Sequence, residues 1–253
     1  MFKRAIVRTP GKSIVNGLSS ANLGIPDYEL ALQQHRAYIQ ALDSCGLEVL
    51  VLESNEDYPD STFIEDVAVL TPDCAVITNP GAPSRKGEIN GLREVLRQFY
   101  SKFEQIQAPG TLEGGDIMMV NSHYYIGLSN RTNLEGAQQL ISILVKYGMS
   151  ASLLELKDML HLKTGLAYLE NNNLLAAGEF INHPLLQKYH ILPIDMNESY
   201  AANCIWVNDR VLVPAGYSIA KEMIEKAGYA TIEVDVSEFR KLDGGLSCLS
   251  LRF

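Results

Sequence analysis

A repeat constrains this chain more than any other feature. One pattern, strand, tight turn, strand, helix, strand, recurs along its 253 residues. The clearest copy starts at Asp116. Asp116–Val120 and His123–Gly127 are β-rich runs joined by Asn121-Ser122. Residues 132–147 then carry apolar side chains at helical spacing, and Ser150–Leu156 reads as a closing strand. An earlier copy pairs Val67–Leu70 with Cys74–Thr78 across the turn Thr71–Asp73. Its helical spacing runs over 86–102 through Ile89, Leu92, Val95, Leu96 and Phe99, and the strand Phe103–Ala108 stops at Pro109-Gly110. A third hairpin joins Gly165–Leu169 to Leu174–Ala177 through Asn171–Asn173, with a weak helix interrupted by Pro184. A fourth joins Cys204–Val207 to Arg210–Val213 through Asn208-Asp209, followed by helix 218–227 and strand Ala230–Val236.

The two ends of the chain carry complementary fragments. Leu249–Phe253 is half a hairpin, and Arg4–Arg8 is a lone strand followed by helix 27–44 and strand Leu47–Leu52. Joined, they make a fifth unit. Hairpins beginning near residues 66, 116, 164, 203 and 248 give a period of roughly 40–50 residues. A closed ring is expected, because closure leaves no uncapped terminal repeat. The competing architecture is a doubly wound sheet, but its signature is strand-helix alternation without hairpins. No low-complexity tract or long linker divides the sequence, so residues 1–253 are expected to form one domain.

Composition narrows the class. The 21 Lys+Arg and 30 Asp+Glu give a net charge of −9, the wrong sign for a general phosphate-backbone binder, so no nucleic acid partner is expected. No apolar run approaches the ~20 residues of a spanning helix, and the start MFKRAIVRTP lacks a signal-peptide core. A soluble cytoplasmic protein without a membrane partner is expected. The four cysteines (Cys45, Cys74, Cys204, Cys248) form no C-x-x-C pair, and no zinc-ligand spacing is present, so no metal is expected.

Reactive side chains fall at the start of successive hairpins. Glu65 and Asp66 precede the first, Glu113 and Asp116 open the second, His161 precedes the third, and Cys248 precedes Leu249–Phe253. In a ring, these positions meet near the axis. A thiolate nucleophile, a histidine to move protons and a carboxylate to orient it would then share one place, with further acids suited to a cation. Each residue also has a structural alternative: a small buried cysteine, a packed histidine, acids acting as caps or turn formers.

Several segments together resemble a known family. They include FKRAIVRTPGKSIVNGL, YPDSTFIEDVAVL, PGAPSRKGE, APGTLEGGDIMMV, YIGLSNRTNLEGA, HLKTGLAYLENNNLLAAGEF, ESYAANCIWVN and DGGLSCLSLRF, in order along nearly the whole chain. The chain resembles the dimethylarginine dimethylaminohydrolases, guanidine-modifying enzymes of the pentein superfamily. That resemblance implies a five-unit α/β propeller with pseudo-five-fold symmetry. It implies hydrolysis of Nω-methylated arginines to citrulline plus methylamine or dimethylamine, without a cofactor. It implies Cys248 as nucleophile, His161 as general acid and base, and Glu113 as its orienting acid. Asp60, Glu65 and Asp66 would hold the guanidinium and its neighbouring donors, and Arg85 and Arg131 the α-carboxylate. Leu18 and Leu242 would line the site through backbone carbonyls. The partner is then a small molecule, with a homodimer as the expected assembly. Lys163 stands where related deiminases carry an acid two residues after the histidine. That departure weakens a deiminase or amidinotransferase reading, and a non-catalytic ring protein remains the alternative of another class. The turn-rich segment Pro10–Pro26, which contains Leu18, is expected to act as a lid.

Overall fold

The computed structural model describes residues 1–253. It contains five three-stranded sheets, each with the second hairpin strand in the middle. In the first unit, Ala75–Ile77 lies antiparallel to Ala68–Leu70 and parallel to Phe103–Gln105. The same arrangement recurs for Ile117–Val120, His123–Leu128 and Ser150–Glu155, and for Leu166–Tyr168, Asn173–Ala177 and His190–Ile194. The fourth unit uses Ile205–Val207, Arg210–Pro214 and Ala230–Val234. In the fifth, Arg4–Arg8 pairs antiparallel with Leu251–Arg252 and parallel with Glu48–Leu52. The expected pseudo-five-fold α/β propeller, closed by the two ends of the chain, is the observed fold.

The turns explain the hairpins. Asn121 and Asn208 adopt positive φ (54° and 60°), a conformation asparagine tolerates and tight hairpins require. Helices carry three of the crossovers, two of them with side-chain N-caps. Asp27 caps Tyr28–Ser44 by accepting from the Leu30 amide, and Asn133 caps Leu134–Lys146 by accepting from the Gly136 amide. Ser218–Lys226 serves the fourth unit.

The core is divided among neighbours. One apolar cluster joins Val69 and Val76 of the first unit to Ile117, Tyr124 and Leu140 of the second. Another joins Met118 and Tyr125 of the second to Leu166 and Leu174 of the third. Leu175 and Leu192 of the third meet Val211 and Ile224 of the fourth. Ile205 and Leu212 of the fourth meet Ala5, Val7 and Leu42 of the fifth. Ile6 and Leu251 of the fifth return to Ala68, Ala75 and Ile77 of the first. Alternate residues of one strand therefore pack against opposite neighbours. This is why these strands read as nearly continuous apolar runs rather than as polar-apolar alternation.

Three elements differ from expectation. The weak helix of the third unit is replaced by two 3-10 turns, Gly178–Phe180 and Pro184–Leu186. The helix expected over 86–102 is a 3-10 turn, Pro83–Ile89, followed by a short helix, Leu92–Leu96. Gly91, at φ 75°, lies in left-handed backbone and breaks the run. The strand His190–Ile194 has no counterpart in the sequence reading, because Pro193 interrupts it. It is an edge strand, where a missing N–H is tolerated. No helix is long and apolar enough to cross a membrane.

A short 3-10 turn precedes each hairpin: Ile64–Val67, Gly114–Asp116, Leu162–Thr164, Met196–Ala202 and Ser247–Leu249. The expected convergence of the hairpin starts is real. Turn meets turn, so Gly114 passes so close to the Glu65 carbonyl that no larger side chain fits there.

Ring closure rests on few residues. Phe253 exchanges backbone hydrogen bonds with Arg4 at 2.8 and 3.0 Å and packs its ring on Phe99 and Tyr100. Leu251 is buried. Removing Leu251–Phe253 should cost about 4 kcal/mol. Thermal denaturation should show Tm lowered by about 10 °C. An unchanged Tm would mean that the ring holds without its closing strand.

Candidate active site

One cavity at the axis is lined by Leu18, Asp60, Asp66, Arg85, Glu113, Arg131, His161, Leu242 and Cys248. Nine of the ten residues singled out in the sequence thus face one space. The exception is Glu65, which lines a second cavity with Lys163, Ser247 and Arg252. Its Oε1 accepts from Lys163 Nζ at 2.6 Å, while its buried Oε2 has no hydrogen-bond partner. Lys163 claims it from the third unit. The Glu65 charge still reaches Cys248.

His161 is fixed from three directions. Its Nε2–H donates to Glu113 Oε2 at 2.8 Å. The next backbone amide, Leu162 N–H, donates to Asp116 Oδ1 at 3.0 Å, and the His161 amide donates to Thr164 Oγ1. Glu113 is itself held, because its Oε1 accepts from the Gly81 and Ala82 amides. Nδ1 is left as the nitrogen able to exchange a proton. Gly115 makes room for it: a Cβ there would lie 2.9 Å from Nδ1. Burial disfavours the imidazolium, but Asp66, Asp116 and Glu113 outweigh it and raise the His161 pKa to about 9. Burial likewise works against the Glu113 carboxylate, and the bond from His161 overcomes it, holding the Glu113 pKa below its ordinary value.

Behind the cavity lies a buried ion network. Arg85 donates from Nη1 to Asp66 at 2.6 Å, and from Nε and Nη2 to the two Glu88 oxygens at 2.9 and 2.8 Å. Its remaining contacts go to the Phe63 and Asp60 carbonyls. Burial opposes ionisation of Asp66, yet Arg85 and then His161 pull its pKa down to about 2. Arg85 can meet a substrate carboxylate only by giving up one of these partners. Arg131 carries no such constraint: its nearest carboxylate oxygen, on Glu113, is 3.7 Å away.

Cys248 is the one cysteine only partly buried; Cys45, Cys74 and Cys204 are buried. Burial of its sulfur, then the charges of Glu65 and Asp66, push its pKa up to about 12. The Gly245 amide donates to the sulfur at 3.4 Å and acts in the opposite sense. Asn203, which precedes the fourth hairpin, also approaches the sulfur, at 4.0 Å. It was not among the sequence candidates. Its position was the available signal, since every other unit carries a reactive side chain there.

The mouth is bridged by the segment after Pro10. The Leu18 amide donates to Asp60 Oδ1 at 3.0 Å, and Ser19 Oγ donates to the Lys241 carbonyl. Asp66, Glu113 and His161 bring one ligand atom each within 4.8 Å of one another, a spacing that would also suit a metal ion. Here those atoms already have donors: Arg85 and the Gly115 amide on Asp66, and His161 with two amides on Glu113.

Comparison with known proteins agrees with this geometry. Residues 26–184 match the family model described as N,N dimethylarginine dimethylhydrolase, eukaryotic. The chain is 58% identical to an N(G),N(G)-dimethylarginine dimethylaminohydrolase of Pseudomonas aeruginosa, over 100% of both chains. It superposes with a TM-score of 0.99 at 57% identity on a cysteine-to-serine variant of the Pseudomonas aeruginosa enzyme complexed with citrulline, covering 100% of each chain. The same TM-score, identity and coverage relate it to a dimethylarginine dimethylaminohydrolase adduct with S-methyl-L-thiocitrulline. With its five-unit ring and a cysteine, a histidine and acids at the axis, the chain belongs to the dimethylarginine dimethylaminohydrolase family.

Proposed function

We propose that the chain hydrolyses Nω-methylated L-arginines to citrulline plus methylamine or dimethylamine through a covalent adduct on Cys248. One observation carries this: the Cys248 thiol and the His161 imidazole line one cavity together with the acids Asp60 and Asp66. That arrangement repels anions and selects a guanidinium. A histidine-to-glycine variant of a related dimethylarginine dimethylaminohydrolase forms an adduct with S-methyl-L-thiocitrulline, and a cysteine-to-serine variant of the Pseudomonas aeruginosa enzyme binds citrulline, which supports a guanidine carbon as the reacting centre.

The chemistry follows from the charges. Burial first, and Glu65 and Asp66 after it, hold Cys248 protonated, and the guanidinium brings a positive charge that offsets the two acids. The thiol then releases its proton to solvent, and the sulfur bonds to the guanidinium carbon. His161 gives its Nδ1 proton to the methylated nitrogen, the C–N bond breaks, and the amine leaves. An S-alkylthiouronium remains on Cys248. His161, now neutral, takes a proton from water as the water oxygen bonds to the carbon. The C–S bond breaks as the remaining O–H proton passes to the departing sulfur, giving citrulline and the Cys248 thiol. Glu113 keeps Nε2–H engaged throughout and so reserves Nδ1 for both transfers. Arg131 takes the α-carboxylate, while Arg85 holds Asp66 and Glu88 against the pocket. Asp60 faces the substrate with the Leu18 loop closed over it, and Leu242 completes the rim.

The direct test is product analysis. Asymmetric dimethylarginine should yield citrulline and dimethylamine in equal amounts, and Cys248→Ser should abolish turnover. Ammonia released from arginine, with the methylated substrates inert, would instead mark a deiminase.

The thiol makes a sharper prediction. At pH 7.5 Cys248 is protonated, so neutral iodoacetamide should alkylate it slowly, accelerating as pH rises toward about 12. A cationic haloacetamidine should react at least ~100-fold faster at the same pH, because it supplies the missing charge. Equal rates would contradict charge-driven activation.

His161 has a raised pKa, so its imidazolium persists at neutral pH and is lost only as pH rises through about 9. Ring-proton NMR should place its midpoint there, and Glu113→Gln should lower it by about a unit or more with a fall in kcat. A wild-type midpoint near 6.5 would remove His161 as the resident acid.

A further inference from the structure

Asn203 is an uncharged residue among reactive ones. It ends the turn before the fourth hairpin, where other units present Asp66, Glu113, His161 and Cys248. It is 7% exposed, and its amide is used on three sides. Oδ1 accepts the Ser247 N–H at 2.9 Å, and Nδ2 donates to the Lys163 carbonyl at 3.0 Å. These two partners fix which way the amide faces, since an N–H needs an acceptor and a carbonyl needs a donor. The second Nδ2 hydrogen is then available to Cys248 Sγ at 4.0 Å.

The residue therefore spans the two halves of the reaction. Lys163 lies two residues after His161, and Ser247 immediately precedes Cys248. One amide ties both backbones and faces the sulfur. Gly245 belongs to the same device: a Cβ there would lie 2.5 Å from the Asn203 amide carbon and oxygen, so only glycine lets the two segments approach. Its own N–H reaches the sulfur from another side, and Ser247 Oγ lies 3.9 Å away. The titratable groups around this sulfur are Glu65 and Asp66 from the first unit, His161 from the third and Tyr200 from the fourth. The two acids oppose a negative sulfur. Neutral N–H donors favour one without attracting an anionic substrate, and so complement a site built for cations.

We propose that Asn203 is a positioning residue of the reaction, holding Cys248 in register with His161 and lending an N–H to the sulfur as the thiolate forms. The inference rests on the thiol chemistry given above, and its test reads the thiol directly, so it does not depend on which guanidine is the substrate. Asn203→Asp is the informative variant. It is isosteric and keeps an acceptor for the Ser247 N–H, but it removes both donors and adds a negative charge. Asn203→Ala removes all three contacts without adding charge.

Both variants should be compared with wild type for Tm, for the pH dependence of alkylation by a cationic haloacetamidine, and for steady-state turnover of asymmetric dimethylarginine. The expected result is a folded Asn203→Asp protein alkylated about 10-fold or more slowly at pH 7.5, with its pH profile displaced upward by about one unit. Asn203→Ala should move the same way by a smaller amount. In both, kcat should fall while KM stays within about 2-fold. A folded Asn203→Asp protein with an unmoved alkylation profile would overturn the proposal, whether or not its kcat falls, because a merely structural residue would not change how the sulfur ionises. Methylarginine turnover absent in wild type, with alkylation intact and displaced in the variants, would reject the substrate while leaving Asn203 in place.

Discussion

Every unit of this ring buries its hairpin against two different neighbours, and no unit can do so alone. Val69 and Val76 turn toward the second unit, whereas Ala68, Ala75 and Ile77 turn back toward the fifth. The alternation built into a β-strand thus becomes the closure rule of the molecule. Closure brings the hairpin starts to the axis, and there the contacts change from apolar to polar. Asp66 accepts from the Gly115 amide, Asp116 from the Leu162 amide, and Asn203 from the Ser247 amide. Each of these bonds runs from one unit to the next. The side chains that could do chemistry are also the ones that hold neighbouring units in register.

This explains how much was legible beforehand. Hairpins with asparagine turns announce themselves locally, and a repeat whose two ends are complementary halves announces a ring. The broken helix at Gly91 and the strand through Pro193 did not, because each depends on a conformation or an edge position that only the assembled sheet defines. Within the site, position at a hairpin start identified Glu113, His161 and Cys248, and resemblance added Leu18, Asp60, Arg85, Arg131 and Leu242; all of these line one cavity. What sequence could not convey was direction. Glu65 and Asp66 are adjacent, yet Lys163 draws the first toward one cavity and Arg85 fixes the second in the other. Asn203 escaped notice for a related reason: an amide has no titration of its own, and its importance lies in three partners distant in the chain.

The buried ion network has a division of labour. Arg85 neutralises Asp66 and Glu88 from behind and keeps Asp66 ionised. Lys163 and Arg252 act similarly on Glu65, at 2.6 and 3.6 Å. Asp66 is therefore charged without being free to wander, whereas burial raises the pKa of Glu65 and lifts that of Glu88 to about 7. His161 feels Asp66, Asp116 and Glu113 as a standing preference for its protonated form. A buried pair of this kind is weak evidence for stability, because desolvation offsets the attraction. Its value here is that it sets the charge of two groups that must differ, an imidazole that keeps its proton and a thiol that does not yet lose one.

The acids that join burial in keeping the Cys248 thiol protonated also give turnover a direction. A methylated arginine enters with a positive side chain, and that charge is the quantity the acids recognise. Citrulline leaves with a neutral ureido group. Hydrolysis therefore erases the feature that held the ligand, and the sulfur regains its proton as the cation disappears. The pocket discriminates between the two ends of its own reaction by charge alone, so departure of the product needs no separate device to drive it.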